Sequence, residues 1–320
     1  YLGEREREMA TLSVPQPVPS PAEDAEIVRK ACQGWGTDEK ALIEILAHRD
    51  AAQRKQIMAA YHERYKEDLI KRLESELSGD FERAVYRWMF EPLEREAIIA
   101  NNAVKAKIDY RVVVETACIN SPAELLAVKQ AYQARYRSSL EEDVASHTSG
   151  DLRKFLVPLV GSYRYNGEEV DAGLALSEAR ILHDAIKEKV FNHEEIIRIL
   201  STRSRAQLNA TFNRFKDDFG ISVTKGLSSN SPNELVSALR IAIRCIISPH
   251  KYFEKVLRNA LNKPGVDEDA LTRVVVTRAE KDLKVIKEVY LQRSNVPLAV
   301  AVDKGTSKDY KSFLLALIGN

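Results

Sequence analysis

A glycine-containing segment, Cys32-Gln-Gly-Trp-Gly-Thr37, separates two stretches of helical pattern. Gly34 and Gly36 permit positive φ, so successive carbonyl oxygens of the segment can turn toward one point. Glu76 follows Gly36 by forty residues, and its carboxylate is placed to complete such a ring. Calcium accepts six to eight oxygen ligands, so about three carbonyls and one carboxylate leave positions for water or a lipid phosphate oxygen.

The same segment is also compatible with a plain helix cap. Thr37 is positioned to cap the next helix, and Asp38 and Glu39 would stand in its first turn, where negative charge is favourable. Taken alone, the glycines are weak evidence for a metal site. Their combination with Glu76 and with a repeated sequence pattern favours the metal site.

The flanking residues have the pattern of α-helices. Apolar residues recur at helical spacing, as in Leu42–Leu46, whereas β-branched runs are short and glycine and proline are sparse. Capping boxes with proline at the first helical position predict helix starts after Ser20, Ser121 and Ser231. The fold class is therefore predicted to be all-α.

An internal repeat groups these helices. The count begins at four anchor residues, which are Arg49, Asn120, Arg203 and Arg278. Twelve positions after each anchor stands an aromatic residue: Tyr61, Tyr132, Phe215 and Tyr290. Eight positions further stands an aliphatic residue: Leu69, Leu140, Val223 and Leu298. A register held through four copies predicts four homologous units.

The intervals between the anchors indicate a linker. They measure 71, 83 and 75 residues, and the longest contains residues 161–173, where Asn166-Gly167 is typical of a turn. This pattern predicts two halves, each made of two consecutive repeats.

Composition narrows the classes of function. Hydrophobic residues make up 44% of the 320 residues and charged residues 30%, which suits a globular protein with a large core. The net charge is only +1, so no long-range attraction to nucleic acid or anionic lipid is built in. We therefore expect no nucleic acid partner, and an anionic partner should need a bridging ion.

Cysteine usage and hydropathy predict a cytoplasmic location. Cys32, Cys118 and Cys245 are too few and too scattered for a disulfide framework and are typical of a reducing compartment. No segment approaches the roughly 18 apolar residues of a membrane-spanning helix. Residues 1–8 lack a signal-like character and are interpreted as a tag remnant ahead of a start at Met9.

These features resemble the annexin family, and among its members the plant annexins, over residues 22–319. The family signature is a glycine-x-glycine-threonine loop followed at similar spacing by an acidic residue. Gly34-Trp-Gly-Thr-Asp-Glu with Glu76 matches it. The resemblance implies a non-enzymatic protein that binds anionic phospholipid membranes when calcium is present. It also implies four repeats of about five helices in a curved disc.

The resemblance assigns roles to residues of the loop. The implied Ca²⁺ ligands are the main-chain carbonyls of Cys32, Gly34 and Gly36 and the side chain of Glu76. Trp35 would enter the headgroup region at the loop apex, an interface that suits an indole ring. We expect cytoplasmic protein that becomes peripheral on the plasma membrane when calcium rises.

The expected division of the chain follows the repeats. Residues 1–21 form the tag remnant and a short tail, and residues 161–177 form the linker. The four annexin repeats are expected at residues 22–90, 91–160, 178–247 and 248–320.

The other copies have lost the calcium pattern. In the second copy, the loop and acid positions become Ala103, Lys105, Lys107 and His147. In the third copy they include Glu188, Val190 and Asn230. The fourth copy keeps one loop glycine, Gly265. Its other loop positions are Lys263, Pro264 and Val266, and Gly305 stands at the acid position. Plant annexins commonly keep a fourth site. Asp303, two residues before Gly305, could substitute for the missing carboxylate through a shift of the loop, but Lys263 would bring a positive charge toward the ion. We expect no fourth site.

Lysines replace the lost loop positions. By the implied fold they lie at membrane-facing loop ends: Lys105, Lys107, Lys187, Lys189 and Lys263. Each lysine near an anionic bilayer contributes on the order of 1 kcal/mol. The sequence thus predicts a calcium-independent component of membrane binding that weakens with salt.

Three other features of the sequence match ones that have been proposed to be functional in plant annexins. His48 matches a histidine linked to haem peroxidase activity, although a lone histidine after an apolar helix is more often structural. Cys118 and Cys245 match a possible redox pair, and buried small hydrophobes are the commoner interpretation. The triplet Ile197-Arg198-Ile199 matches a short F-actin motif, but such a triplet arises on many amphipathic helices. These patterns leave a peroxidase and a calcium-independent actin-binding scaffold as alternatives.

Overall fold

The computed structural model describes residues 8–34, 36–105, 108–227, 233–262 and 264–319. From Pro21 onward these residues form twenty α-helices and no strand. The prediction of an all-α protein built from four repeats is confirmed, with five helices in each repeat. No helix of the described part is long and apolar enough to cross a membrane.

The helices of the first two repeats have similar lengths in the same order. Repeat 1 contains α1 (Pro21–Ala31), α2 (Glu39–Leu46), α3 (Ala51–Tyr65), α4 (Leu69–Glu76) and α5 (Gly79–Met89). Repeat 2 contains α6 (Pro92–Lys105), α7 (Tyr110–Ile119), α8 (Pro122–Tyr136), α9 (Leu140–His147) and α10 (Gly150–Gly161).

The last two repeats follow the same order. Repeat 3 contains α11 (Ala172–Lys187), α12 (Glu194–Thr202), α13 (Arg205–Phe219), α14 (Val223–Gly226) and α15 (Glu234–Ile247). Repeat 4 contains α16 (Pro249–Leu261), α17 (Glu268–Arg278), α18 (Leu283–Ser294), α19 (Leu298–Gly305) and α20 (Lys308–Ile318).

Capping explains where several helices begin. The capping boxes predicted at Ser20 and Ser121 are present, with reciprocal bonds to Glu23 and Glu124. The box predicted at Ser231 lies outside the described residues. Within them, α15 begins at Glu234 with Asn233 as its N-cap.

A polar pair recurs at the anchor position in three repeats. It joins the first helix of each repeat to the anchor that follows the second helix: Asp24 with Arg49, Glu96 with Asn120, and Glu178 with Arg203. In repeat 1 the two bonds measure 2.7 and 2.8 Å, and both side chains are buried. A buried charge requires such a partner, which accounts for the type of residue at the anchor.

The compact units do not follow chain order. Residues 1–95 and 253–320 form one unit, and residues 96–252 form the other. Repeats 1 and 4 therefore share a unit, as do repeats 2 and 3, whereas the linker had indicated halves of consecutive repeats. The interval between anchors measures the length of a connection and does not report which helices pack together.

A cluster of buried charged side chains around an aromatic ring stabilises the unit of repeats 1 and 4. Trp88 is completely buried, and its indole N–H donates to the Leu46 carbonyl oxygen at 2.7 Å. The guanidinium groups of Arg54 and Arg95 lie over its ring at 3.8 and 4.9 Å. Both arginines bind the buried carboxylate of Glu280, at 3.1 and 3.3 Å. This cluster links helices that are far apart in sequence.

Candidate metal centre

The loop between α1 and α2 has the backbone conformation that its glycines predict. Gly34 has φ +104° and Gly36 has φ +93°, values that L side chains rarely adopt. The N–H of Asp38 donates to the Ala31 carbonyl oxygen at 2.9 Å and closes the loop. Trp35, predicted at the apex, lies outside the described residues.

The prediction of the N-cap of α2 is wrong by one residue. Asp38, not Thr37, is the N-cap, and its carboxylate accepts from the Ala41 N–H at 3.0 Å. A carboxylate also suits the positive end of the helix dipole better than a hydroxyl does. Thr37 is thereby released for another contact, and its hydroxyl donates to Glu76 Oε2 at 3.0 Å.

The fold brings Glu76 to this loop from the end of α4. Its side chain is 21% exposed, and its second oxygen, Oε1, accepts from Arg72 Nη2 at 2.9 Å. The same Nη2 donates to the carbonyl oxygen of Cys32. Two of the four predicted calcium ligands therefore converge on one positively charged nitrogen.

The donor set fits calcium. A hard cation prefers carbonyl and carboxylate oxygens, and the convergence on Arg72 shows that two such oxygens already surround a positive charge. Across the described ranges, no group of three or more His, Cys, Asp or Glu side chains is placed to hold a metal. A metal at the repeat 1 loop would thus depend mainly on main-chain carbonyls.

Sequence reasoning missed Arg72. It stands four residues before Glu76, so both side chains lie on one face of α4. That spacing was the available signal. It would have predicted the ion pair, although not the additional bond to the loop carbonyl.

Repeat 2 replaces this arrangement with a different ion pair. Lys105, the last residue of α6, binds the carboxylate of Asp143 at 2.8 Å, and Tyr132 donates to the same carboxylate at 2.6 Å. His147, at the acid position, lies with Nδ1 2.8 Å from the Asp143 main-chain oxygen. Lys107 lies outside the described residues.

Repeat 3 presents exposed lysines at the corresponding loop. Lys187 ends α11 and Lys189 follows it with φ +58°, and both are exposed. The N–H of Val190 donates to the Ala185 carbonyl oxygen at 2.9 Å. The expected acid position, Asn230, lies outside the described residues.

Repeat 4 keeps part of the loop conformation. Gly265 has φ +81°, comparable with Gly36. Asp303, the candidate substitute ligand, pairs with Lys311 at 3.0 Å. A side chain at Gly305 would meet Val266 at 3.1 Å, so the acid position itself is tightly packed. Lys263 lies outside the described residues.

His48 lines a cavity of about 640 Å³ in the unit of repeats 1 and 4. Its Nδ1 lies 2.9 Å from the Ser13 carbonyl oxygen, and Lys284 and Lys287 line the same cavity. Burial lowers the pKa of Lys287, and the charge of Lys284 acts in the same direction.

The two cysteines of the predicted redox pair lie on α7 and α15, which pack against each other. Cys118 and Cys245 are both buried and are thiols, not a disulfide. Burial raises the pKa of the Cys118 thiol to about 11, so at neutral pH it keeps its proton.

The predicted actin triplet lies within α12. Ile197 and Ile199 are buried in the core, and Arg198 binds the carboxylates of Glu195 and Glu178 at 2.7 and 3.3 Å. Only the arginine therefore contributes substantially to the surface.

Four homologous repeats of five helices each define the class of the fold as an all-α repeat protein. The Annexin family profile matches four segments, at residues 23–88, 96–159, 177–238 and 252–317. The chain belongs to the annexin family, whose members are known as calcium-dependent phospholipid-binding proteins, and it is of the plant type.

Known relatives agree over nearly the whole chain. Annexin-like protein RJ4 of Fragaria ananassa is 62% identical, covering 97% of this chain and 99% of the relative. Annexin D7 of Arabidopsis thaliana is 56% identical, covering 98% and 99%.

Two solved structures share the fold. Chicken annexin V superposes with a TM-score of 0.90 at 32% identity, covering 98% of this chain and 99% of that one. Calcium-bound annexin (Sm)1 superposes with a TM-score of 0.81 at 26% identity, covering 97% and 93%.

Proposed function

We propose that this annexin is a non-enzymatic protein that attaches to anionic phospholipid membranes in response to calcium, through the loop of repeat 1. The observation that carries the proposal is the convergence of the Cys32 carbonyl and the Glu76 carboxylate beside a loop with two positive-φ glycines. Calcium-bound annexin (Sm)1 supports the choice of ion.

Four groups of the chain would hold the ion. They are the main-chain carbonyls of Cys32, Gly34 and Gly36 and the carboxylate of Glu76. When bound, calcium supplies positive charge that a lipid phosphate oxygen can share, because six to eight ligands exceed what the chain provides. Thr37 would position Glu76 through its hydrogen bond to Oε2.

Residues around the loops would add to the contact with the membrane. Trp35 would enter the headgroup region from the repeat 1 loop. The exposed Lys187 and Lys189 would attract anionic lipid without calcium, together with Lys263. Lys105 would contribute less than these, since its ammonium group already binds Asp143.

Membrane binding through this ligand set would be reversible. A single calcium position would release the membrane when the ion leaves, so the protein would be cytoplasmic at rest. It would become peripheral on the plasma membrane when cytoplasmic calcium rises.

Substitution of Glu76→Gln tests the ligand assignment. The amide keeps the shape of the side chain but removes the charge, so the calcium midpoint for pelleting with phosphatidylserine vesicles should rise by roughly tenfold or more. Glu74→Gln is the matched control, because Glu74 is exposed on the same helix and should leave the midpoint unchanged. An equal midpoint for wild type and Glu76→Gln would defeat the assignment.

A further inference from the structure

Arg72 occupies an unusual position for a cation. It lies on α4, and its Nη2 joins the Cys32 carbonyl oxygen of the loop to Glu76 Oε1. Both of these oxygens belong to the ligand set proposed for calcium. The side chain is about one third exposed, at 32%, so the guanidinium can leave the site toward solvent.

A second nitrogen of this guanidinium, Nε, is poorly accommodated. Arg72 Nε is buried and finds no hydrogen-bond partner among the described residues. An unpaired buried N–H is unfavourable, because it has lost its bonds to water. The two bonds that place Arg72 between the loop carbonyl and Glu76 are both made by Nη2, and the buried Nε adds none, which suits this position to exchange.

Repeat 2 also has a bond between its loop region and its fourth helix. There the cation ends the first helix and the anion lies on the fourth helix. In the repeat register Asp143 matches Arg72, and this carboxylate binds Lys105 from the end of α6. Both repeats thus tie their loop region to the fourth helix through a side-chain cation. Repeat 1 directs that cation onto two members of the proposed calcium ligand set, whereas repeat 2 directs it onto Asp143 and has His147 where Glu76 would be.

We propose that Arg72 is an internal competitor of calcium, which holds the repeat 1 loop and Glu76 in place in the calcium-free protein and sets the calcium concentration needed for binding. This inference rests on the proposed function. Arg72 must withdraw from the Cys32 and Glu76 oxygens before they coordinate the ion, since a guanidinium and a divalent ion on the same oxygens would lie close enough to repel strongly. Its positive charge also opposes the approach of a divalent ion.

Substitution of Arg72→Gln should therefore increase calcium affinity. Removal of a partly exposed, charge-assisted pair predicts a calcium midpoint lower by roughly three- to tenfold. Lys71→Gln is the matched control, because it removes one positive charge from the adjacent, exposed position and should shift the midpoint much less. Calcium binding is measured by calorimetry without lipid and, separately, by pelleting with phosphatidylserine vesicles.

Amide hydrogen exchange in the absence of calcium tests whether Arg72 holds the repeat 1 loop in place. In chelator, amides of residues 33–37 should exchange hydrogen several-fold faster in Arg72→Gln than in wild type or Lys71→Gln, because the loop has lost its bond to α4. Arg72→Lys retains the charge with fewer donors and should give intermediate values in both assays. This variant keeps the test valid if Arg72→Gln does not fold.

The outcomes separate the two proposals. If wild type and Glu76→Gln respond to calcium alike, the proposed site is wrong. If Glu76→Gln loses calcium binding while Arg72→Gln and Arg72→Lys match Lys71→Gln in midpoint and exchange rate, the site stands and the role of Arg72 is refuted. A raised midpoint in Arg72→Gln would refute that role as well.

Discussion

At the scale of single residues, the candidate site depends on backbone conformation more than on side chains. Gly36 has φ +93°, and a Cβ built there meets no atom within 4 Å. The requirement for glycine is therefore conformational, with no steric contribution from neighbours. The carbonyl groups in the proposed calcium ligand set depend on this conformation for their directions.

Substitution of Gly36→Ala should weaken calcium binding while sparing the helices. A side chain at this φ costs about 1–2 kcal/mol, so the loop should relax away and raise the calcium midpoint roughly five- to thirtyfold. Vesicle pelleting and calorimetry measure the shift. Gly161→Ala is the control, since that glycine ends α10 without positive φ and a Cβ would have an ordinary contact at 3.7 Å. Equal effects of the two variants would contradict this account.

At the scale of elements, the sequence predicts local features better than pairings. The repeat register and the capping boxes at Ser20 and Ser121 depend on residues close in the chain, and both were predictable. The cap of α2 was misassigned because Thr37 and Asp38 are both good N-caps. The position of Glu76, which is distant in the chain, adds to the preference for Asp38, since its carboxylate engages the Thr37 hydroxyl.

The cluster around Glu280 was not predictable from local pattern. Its carboxylate accepts from the Ala51 N–H at 2.7 Å and binds Arg54 and Arg95, partners more than 180 residues away. Burial by itself would raise the pKa of Glu280, but the charges of Arg54 and Arg95 outweigh it and hold that pKa below the ordinary value of 4.5. Burial lowers the pKa of Arg54 to about 10, so this arginine remains charged at neutral pH.

Substitution of Glu280→Gln should destabilise the protein by about 3–5 kcal/mol, because two buried guanidinium groups lose their counter-charge. Urea unfolding measures the change. Glu91→Gln breaks an exposed pair with Lys55 and should cost at most about 1 kcal/mol. A loss for Glu280→Gln no larger than that for Glu91→Gln would contradict the electrostatic role of Glu280.

The contribution of Glu280 should also depend on pH. Its folded pKa lies below the unfolded value, so its stabilisation is complete above about pH 4.5 and is lost as pH falls through the lower folded value. The stability difference between wild type and Glu280→Gln should therefore shrink below pH 4.5.

At the scale of the whole molecule, near-neutral charge makes any attraction to membranes local. Forty-eight basic residues almost balance forty-seven acidic ones, so the overall field favours neither sign of surface. Calcium-free attachment must then come from lysines concentrated at particular loops. Repeat 3 offers the clearest case, because Lys187 and Lys189 are exposed at the loop that corresponds to the repeat 1 loop.

The double substitution Lys187→Gln with Lys189→Gln should reduce calcium-free binding to phosphatidylserine vesicles at low ionic strength by roughly thirtyfold, at about 1 kcal/mol per lysine. The calcium-dependent increment at repeat 1 should persist. The matched control is Lys216→Gln with Lys251→Gln, which removes equal charge from exposed positions within α13 and α16.

Vesicle pelleting in chelator, at low and at high salt, distinguishes the effects of the two pairs of substitutions. A local attraction predicts a loss only for the loop pair and only at low salt, because salt screens charges beyond about 8–10 Å. Equal losses for both pairs would instead mean that net charge alone governs calcium-free binding.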